Sequence, residues 1–151
     1  MRVFIAGIMQ GSRLDCDIDD QSYRLVIASA IRRSYPEAEI VDPNELHPDG
    51  VGYDDPLAQR TLFDLIQQAA QSDLVVAYVP EASMGTAVEM WQAFEAGIPI
   101  VTISPMSANW IIRFLSSMVL PDLSAFEAWA ARGNLARLMA GEQLDNSADL
   151  A

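Results

Sequence analysis

DLVVAYVPEASMGTAVEMWQAFEAGIPIVTIS, residues 73–104, decides the fold. It opens on an unbroken apolar run through Val79, as a strand buried on both faces of a parallel sheet requires. The loop PEAS follows, and Ser83 is placed to cap a helix that carries apolar residues at helical spacing to Glu95. Gly97 stops that helix and PIVTIS resumes as a strand. Strand, loop, helix and strand in this order make a βαβ unit.

The same grammar extends in both directions. Toward the N-terminus, RVFIA (residues 2–6) is a second apolar strand closed by Gly7, followed by the loop GIMQGSRLD. A helix is expected from Asp19 or Asp20, through Tyr23, Val26, Ile27, Ala30 and Ile31, with Arg32 and Arg33 at its C-terminus and Pro36 ending it. AEIVDP reads as a short strand, residues 43–56 as an ordered loop, and residues 56–71 as a helix. Beyond residue 104, a helix over about 107–117, a last strand at Val119–Leu120 and a helix over 122–140 bent at Gly133 complete the pattern. The expectation is one α/β domain over residues 1–141, doubly wound (Rossmann- or flavodoxin-like), with a mostly parallel five-stranded sheet, helices on both faces and a polar tail over 142–151. In such folds ligands bind beyond the carboxyl ends of the strands where strand order reverses. That rule nominates the loops at residues 7–13 and 80–85.

Composition narrows the function classes. The chain has 151 residues, 51% of them hydrophobic, and a net charge of −12. An acidic chain is unsuited to a phosphate backbone, so no nucleic-acid partner is expected. A phosphorylated small molecule stays possible, since it needs only local amides and one cation. No apolar run of membrane-spanning length occurs, and Met1 leads straight into a strand without the pattern of a secretory signal, so a cytoplasmic protein is expected. The lone Cys16 lies between Asp15 and Asp17, which would hold its thiol protonated and unreactive. The acidic cluster of Asp15, Asp17, Asp19 and Asp20 lacks the glycine and terminal glutamate of a calcium loop and reads as a solvated helix start.

The second loop and its helix hold the strongest chemical candidates. Gly85 lets backbone approach a ligand, and Ser83 with the following amides can receive an anion. Gly85, Glu89 and Gln92 share a face, while Val88, Trp91 and Phe94 are expected to point into packing. From pattern alone, Glu89 is either a reactive carboxylate or a glutamate that gains about 0.3–1 kcal/mol from the helix dipole.

Three segments together resemble the nucleoside 2-deoxyribosyltransferase family, and within it the 2'-deoxynucleoside 5'-phosphate N-hydrolases. They are FIAGIMQGSR (residues 4–13), SDLVVAYV (72–79) and ASMGTAVEMWQAFEAGIPIV (82–101), and the likeness spans roughly residues 2–105. The resemblance implies an enzyme that cleaves the N-glycosidic bond of a (2'-deoxy)nucleoside or its 5'-monophosphate and passes the sugar to water or to another base. It implies Glu89 as nucleophile and Asp64 as the carboxylate that engages the base or aids its departure, although Asp64 is one residue further from Asp73 than the family pattern has it. Asp73 itself reads as a structural residue at a strand start. Ser83 matches a phosphate-binding serine of the N-hydrolases, where the transferases tend to carry an acid.

The first loop departs from the hydrolase pattern. Gln10 stands where an arginine is expected, Phe4 where a tyrosine is usual and Ile8 where a small polar residue often sits. Arg13, or Arg113 from a later helix, is available to supply the charge. The expected substrate-binding set is Gly7, Gln10, Gly11, Arg13, Ser83, Gly85, Tyr53 and Asn109. Tyr53 is a candidate to stack on a base, and His47 reads as a hydrogen-bonding loop residue. The chemistry needs no metal and no organic cofactor. By resemblance a homodimer or larger homo-oligomer is expected. The loop departures also motivate a non-catalytic nucleotide-binding or sensor module, and the glutamate chemistry extends to another N-riboside such as NAD.

Overall fold

The computed structural model describes residues 1–9, 18–142 and 144. Five strands form one sheet: β1 (Arg2–Gly7), β2 (Glu39–Val41), β3 (Leu74–Tyr78), β4 (Ile100–Ile103) and β5 (Met118–Leu120). Their order is β2-β1-β3-β4-β5 and every pairing is parallel. The order reverses between β1 and β3, whose register ends with Gly7 opposite Tyr78. The carboxyl ends of these two strands are therefore the topological switch point.

Seven α-helices cover the sheet among the described residues: α1 (Tyr23–Ser34), α2 (Pro43–Leu46), α3 (Asp55–Ala70), α4 (Met84–Glu95), α5 (Trp110–Leu115), α6 (Leu123–Ala131) and α7 (Asn134–Met139). Alternation along the strands divides the core in two. Val3, Ile5 and Val76 face Ile27 and Ile31 of α1 and Phe126 and Trp129 of α6. Phe4, Ala6, Val75 and Ala77 face Leu65 and Ala69 of α3, Met90 and Ala93 of α4, and Ile112 of α5. The doubly wound sheet read from the sequence is thus present with all five strands. The bend at Gly133 is also present, with φ of 80° separating α6 from α7.

Three local expectations are corrected. Residues 43–56 are not only loop: Asp42 accepts from the Asn44 amide and Pro43 takes the first helical position, so α2 forms, followed by a 3₁₀ turn at Gly50–Gly52. The first helix starts at Tyr23, later than Asp19 or Asp20. The preceding segment is tied to the end of β1 instead: the Asp19 amide donates to the Met9 carbonyl, the Gln21 amide group donates to the Ile8 carbonyl, and Asp20 accepts from the Ser22 amide and hydroxyl. The third concerns α4. Val88, Trp91 and Phe94 are exposed, and the helix rests on the sheet through Thr86, Met90 and Ala93. Small residues at Thr86 and Ala93 bring α4 close to β1 and β3, which turns its bulkier apolar side chains outward.

Candidate active site

The site is assembled by three segments that meet at the switch point: the end of β1, the start of α1, and the β3–α4 connection. Gly7 closes β1 because Tyr23 occupies the space a side chain would fill. A Cβ on Gly7 would lie 2.2 Å from the Tyr23 hydroxyl oxygen. The Tyr23 hydroxyl donates to the Ile8 carbonyl at 3.2 Å, and its ring stacks on Tyr78 with centroids 4.3 Å apart. Both rings line a cleft of about 430 Å³ with Ile8, Asp19, Asp20, Ser22, Pro80, Glu81 and Leu123. Burial pushes the Tyr23 phenol well above its ordinary range; Arg24 opposes this, and Asp42, Glu89 and Tyr78 reinforce it. The Ser22 hydrogen bonds hold the Asp20 carboxyl below its usual value, so this cleft carries negative charge at neutral pH.

Across the end of β3, a second cavity of about 240 Å³ lies between the N-termini of α4 and α5. Ser83 and Asn109 line it together with Val79, Ala82, Met84, Ala87, Met90, Met106, Ile111 and Ile112. Each of the two polar residues also caps its helix. The Ser83 hydroxyl accepts from the Thr86 hydroxyl at 3.0 Å and from the Thr86 amide at 3.4 Å, and Asn109 accepts from the Ile111 and Ile112 amides. An Ala at either cap would leave first-turn amides unsatisfied, at a cost of about 1 kcal/mol. A Cβ at Gly85 would meet nothing within 4 Å, so the backbone at the start of α4 is open.

Glu89 is the sixth residue of α4, counting from Met84, and so stands in the second turn. There the helix dipole contributes little, because its effect decays within the first turn. Burial pushes the Glu89 carboxyl up to about 8, and the Arg24 guanidinium pulls in the opposite direction. Its electrostatic link to Tyr23 connects it to the larger cleft, whose described lining does not include it. A half-buried carboxyl that burial holds protonated is the kind of group that active sites maintain.

The other candidates are dispersed. Asp64 is exposed on α3, three residues beyond Thr61. Thr61 lines a cavity of about 180 Å³ with Met9, His47, Val51, Tyr53 and Leu65. Within it the Tyr53 hydroxyl and His47 Nδ1 are 3.1 Å apart, so Tyr53 is anchored edge-on to the imidazole. Arg113 is exposed, its guanidinium 5.2 Å from the Phe114 ring centroid. Asp73 accepts from the Arg2 amide at 2.6 Å, the structural role read for it. Phe4 is a core residue of the α4 face. Gln10, Gly11, Arg13 and Cys16 lie outside the described residues.

Sequence reasoning missed Tyr23, Tyr78 and Arg24. Tyr78 had a signal, since it ends the clearest strand at the nominated switch point. Tyr23 and Arg24 look like ordinary residues of an amphipathic helix until the fold brings that helix against β1.

No protein-family model and no curated protein sequence matches this chain. Among solved structures, a 2-deoxyribosyltransferase from Bacillus psychrosaccharolyticus superposes with a TM-score of 0.63 at 14% identity, over 84% of this chain and 90% of that one. The CMP N-glycosidase BcmB of Clostridium botulinum superposes with a TM-score of 0.50 at 18% identity, over 90% of this chain and 99% of that one. The chain therefore has the fold of a nucleoside 2-deoxyribosyltransferase, as its three segments implied.

Proposed function

We propose that the protein cleaves the N-glycosidic bond of a nucleoside or nucleoside 5'-monophosphate, with Glu89 as nucleophile. The observation that carries this reading is the Glu89 carboxyl, half-buried in the second turn of α4, the helix that follows β3, and pushed up to about 8 by desolvation against the pull of Arg24. A carboxylate in that position attacks the anomeric carbon; the C–N bond breaks, its electron pair leaves with the base, and the base takes a proton. Water or a second base then displaces the carboxylate from the glycosyl ester. Asp64 is the base-side carboxylate of this reading, and Tyr53, hydrogen-bonded to His47, is its candidate to stack on a base. The two structural relatives, one a deoxyribosyl transferase and one a CMP N-glycosidase, act on substrates of this kind, which supports the choice of bond. The reading needs no cofactor.

The 5' end of the substrate is assigned to the cavity at Ser83. The alternative cleft carries Asp19, Asp20 and Glu81, which would repel a phosphate, whereas the first-turn amides of α4 attract one. Ser83→Asp should therefore raise KM for a monophosphate at least about tenfold while changing KM for the free nucleoside little, because a new negative charge faces the phosphate alone. Equal effects on both substrates would remove Ser83 from the phosphate site.

The test of the whole reading is chromatographic detection of free base from ribo- and deoxyribonucleosides and their 5'-monophosphates, with and without an acceptor base. Release lost in Glu89→Ala supports the hydrolase; exchange only with acceptor makes it a transferase. Micromolar binding without release would make the protein a binding module. Nicotinamide release from NAD would redirect it to another N-riboside.

We also propose that the molecule is a homodimer through α4 and α5. Val88, Trp91 and Phe94 on α4 and Trp110, Ile111 and Phe114 on α5 are exposed, and the two helices pack against each other. So large an apolar surface is uncommon on a monomer, and the residues carrying it are uncharged in a chain of net charge −12. Trp91→Glu is expected to halve the mass measured by sedimentation equilibrium. A monomeric wild type would remove the dimer.

A further inference from the structure

The chain between β2 and α3 holds His47 and Tyr53 as a fixed pair. Asp42 and Pro43 start α2, which ends at His47 with the His47 amide donating to the Pro43 carbonyl. The His47 carbonyl then accepts from the Gly50 amide, and the Tyr53 amide donates to the Gly50 carbonyl across the 3₁₀ turn. Asp54, the next residue, caps α3 through the Leu57 amide. Between these anchors the two side chains meet, with Nδ1 3.1 Å from the phenol oxygen and the ring centroids 5.9 Å apart, edge to face.

That bond has a direction. A phenol is a stronger donor than an imidazole N–H, and an imidazole nitrogen is a stronger acceptor than a phenol oxygen. The Tyr53 proton therefore goes to Nδ1, which leaves the imidazole proton on Nε2. Neither side chain has another hydrogen-bond partner among the described residues. With its proton committed, Tyr53 offers an acceptor, and no donor, to the cavity that both residues line.

The cavity suits a neutral ring. An apolar cavity of about 150 Å³ takes up benzene, and this one measures about 180 Å³. Met9, Pro43, Val51, Leu62 and Leu65 contribute to its walls, and none of its described lining residues is an acid, a lysine or an arginine. Thr61 also lines it, but a hydroxyl that both donates and accepts does not discriminate.

We infer that the Tyr53 oxygen selects a six-membered heteroaromatic base carrying an exocyclic amine, and that His47 is the positioning residue that makes it selective by holding the phenol proton. An amine N–H finds its acceptor there, whereas a carbonyl at the same ring position brings oxygen against oxygen. Stacking on the Tyr53 ring would be indifferent to the base, so the oxygen replaces the ring face as the recognising group. The inference rests on this cavity receiving the base of an N-glycoside; it does not depend on which residue is the nucleophile.

The test is calorimetric titration of full-length protein carrying Glu89→Gln, so that turnover does not intervene, at pH about 8, where an ordinary imidazole is uncharged. The ligands are the nucleosides of cytosine, uracil and the amine-free pyrimidin-2-one. Cytosine should bind tighter than either of the others by about tenfold or more. Tyr53→Phe should weaken the cytosine nucleoside alone and bring the three together. His47→Phe frees the phenol proton, so the uracil nucleoside should gain on cytosine while pyrimidin-2-one stays behind. A merely structural lesion would weaken all three alike. Should one variant not fold, the other decides, since each carries its own pattern of ratios. Equal binding of the three nucleosides, binding of none, or ratios unchanged in either variant overturns the inference. Wild-type base release without preference for the amine overturns it too and leaves the N-glycosidase reading standing. Selective binding with no base release from any substrate does the reverse.

Discussion

Glu89→Gln is expected to abolish base release and, at the same time, to make the protein more stable at alkaline pH. The first effect follows from chemistry. Glutamine has no carboxylate to form the glycosyl ester, and loss of a covalent nucleophile lowers kcat by about 10³-fold or more. The second follows from burial. An unfolded glutamate releases its proton near 4.5, whereas Glu89 in the folded protein holds its proton up to about 8. Between those values the native state binds more protons than the unfolded state, so stability falls as pH rises. The stabilising contribution of the protonated group is full below about 4.5 and is lost once pH passes about 8. Glutamine resembles the protonated form at every pH. Denaturation midpoints of wild type and Glu89→Gln should therefore converge near pH 4.5 and separate progressively toward pH 8, with the variant above. The wild-type pH–rate profile provides the matching sign. Only the ionised carboxylate attacks, so kcat/KM should climb about tenfold per pH unit and level off above pH 8. A flat rate profile from pH 6 to 8, or parallel stability curves, would remove Glu89 from this role.

How far the sequence carried this reading depends on whether the determining interaction was local. The β3–α4–β4 unit was legible because its signals are short-range: an apolar strand, a serine cap that receives the Thr86 amide, and Gly97 at φ 73° ending the helix. Glu89 stood out because it lies inside that unit. Even α2 had its signal in Asp42–Pro43, a cap followed by proline at the first helical position, but a helix of only four residues is easily taken for a loop. The outward turn of Val88, Trp91 and Phe94 was not legible. An apolar residue on a helix is by default assigned to the core, and only the contacts of Thr86, Met90 and Ala93 decide the other face. Arg24 was hidden for a similar reason. Its partners are a carbonyl in β1 and a carboxylate eighteen positions further along the chain at Asp42, brought together by parallel pairing of β1 with β2. The elevated Glu89 carboxyl depends on the same long-range assembly.

Gly7→Ala carries the largest expected structural effect, because it adds one methyl group where no space exists. The new Cβ would lie 2.2 Å from the Tyr23 hydroxyl oxygen, 2.8 Å from Cζ and 2.9 Å from Cε2. A hydroxyl at the end of a free side chain would swing away at little cost. Tyr23 has no such freedom: it is 4% exposed, stacked on Tyr78, bonded to the Ile8 carbonyl and faced by the Arg24 guanidinium. Overpacking of a fixed ring costs about 1–3 kcal/mol, which for a domain of this size lowers Tm by roughly 2–12 °C. The ring must shift off Tyr78, and Glu89 and Arg24 lie in its field, so base release should fall together with stability. The effect should be partly reversible by a second substitution. Tyr23→Phe deletes the oxygen that makes the 2.2 Å contact, at the cost of the hydrogen bond to the Ile8 carbonyl. In the Gly7→Ala background that cost is already incurred once the ring has moved, so the two changes should couple by about 1 kcal/mol or more in a double-mutant cycle. Strict additivity would mean that Tyr23 does not hold Gly7 to glycine, and that the residue is retained for what approaches the end of β1 from outside.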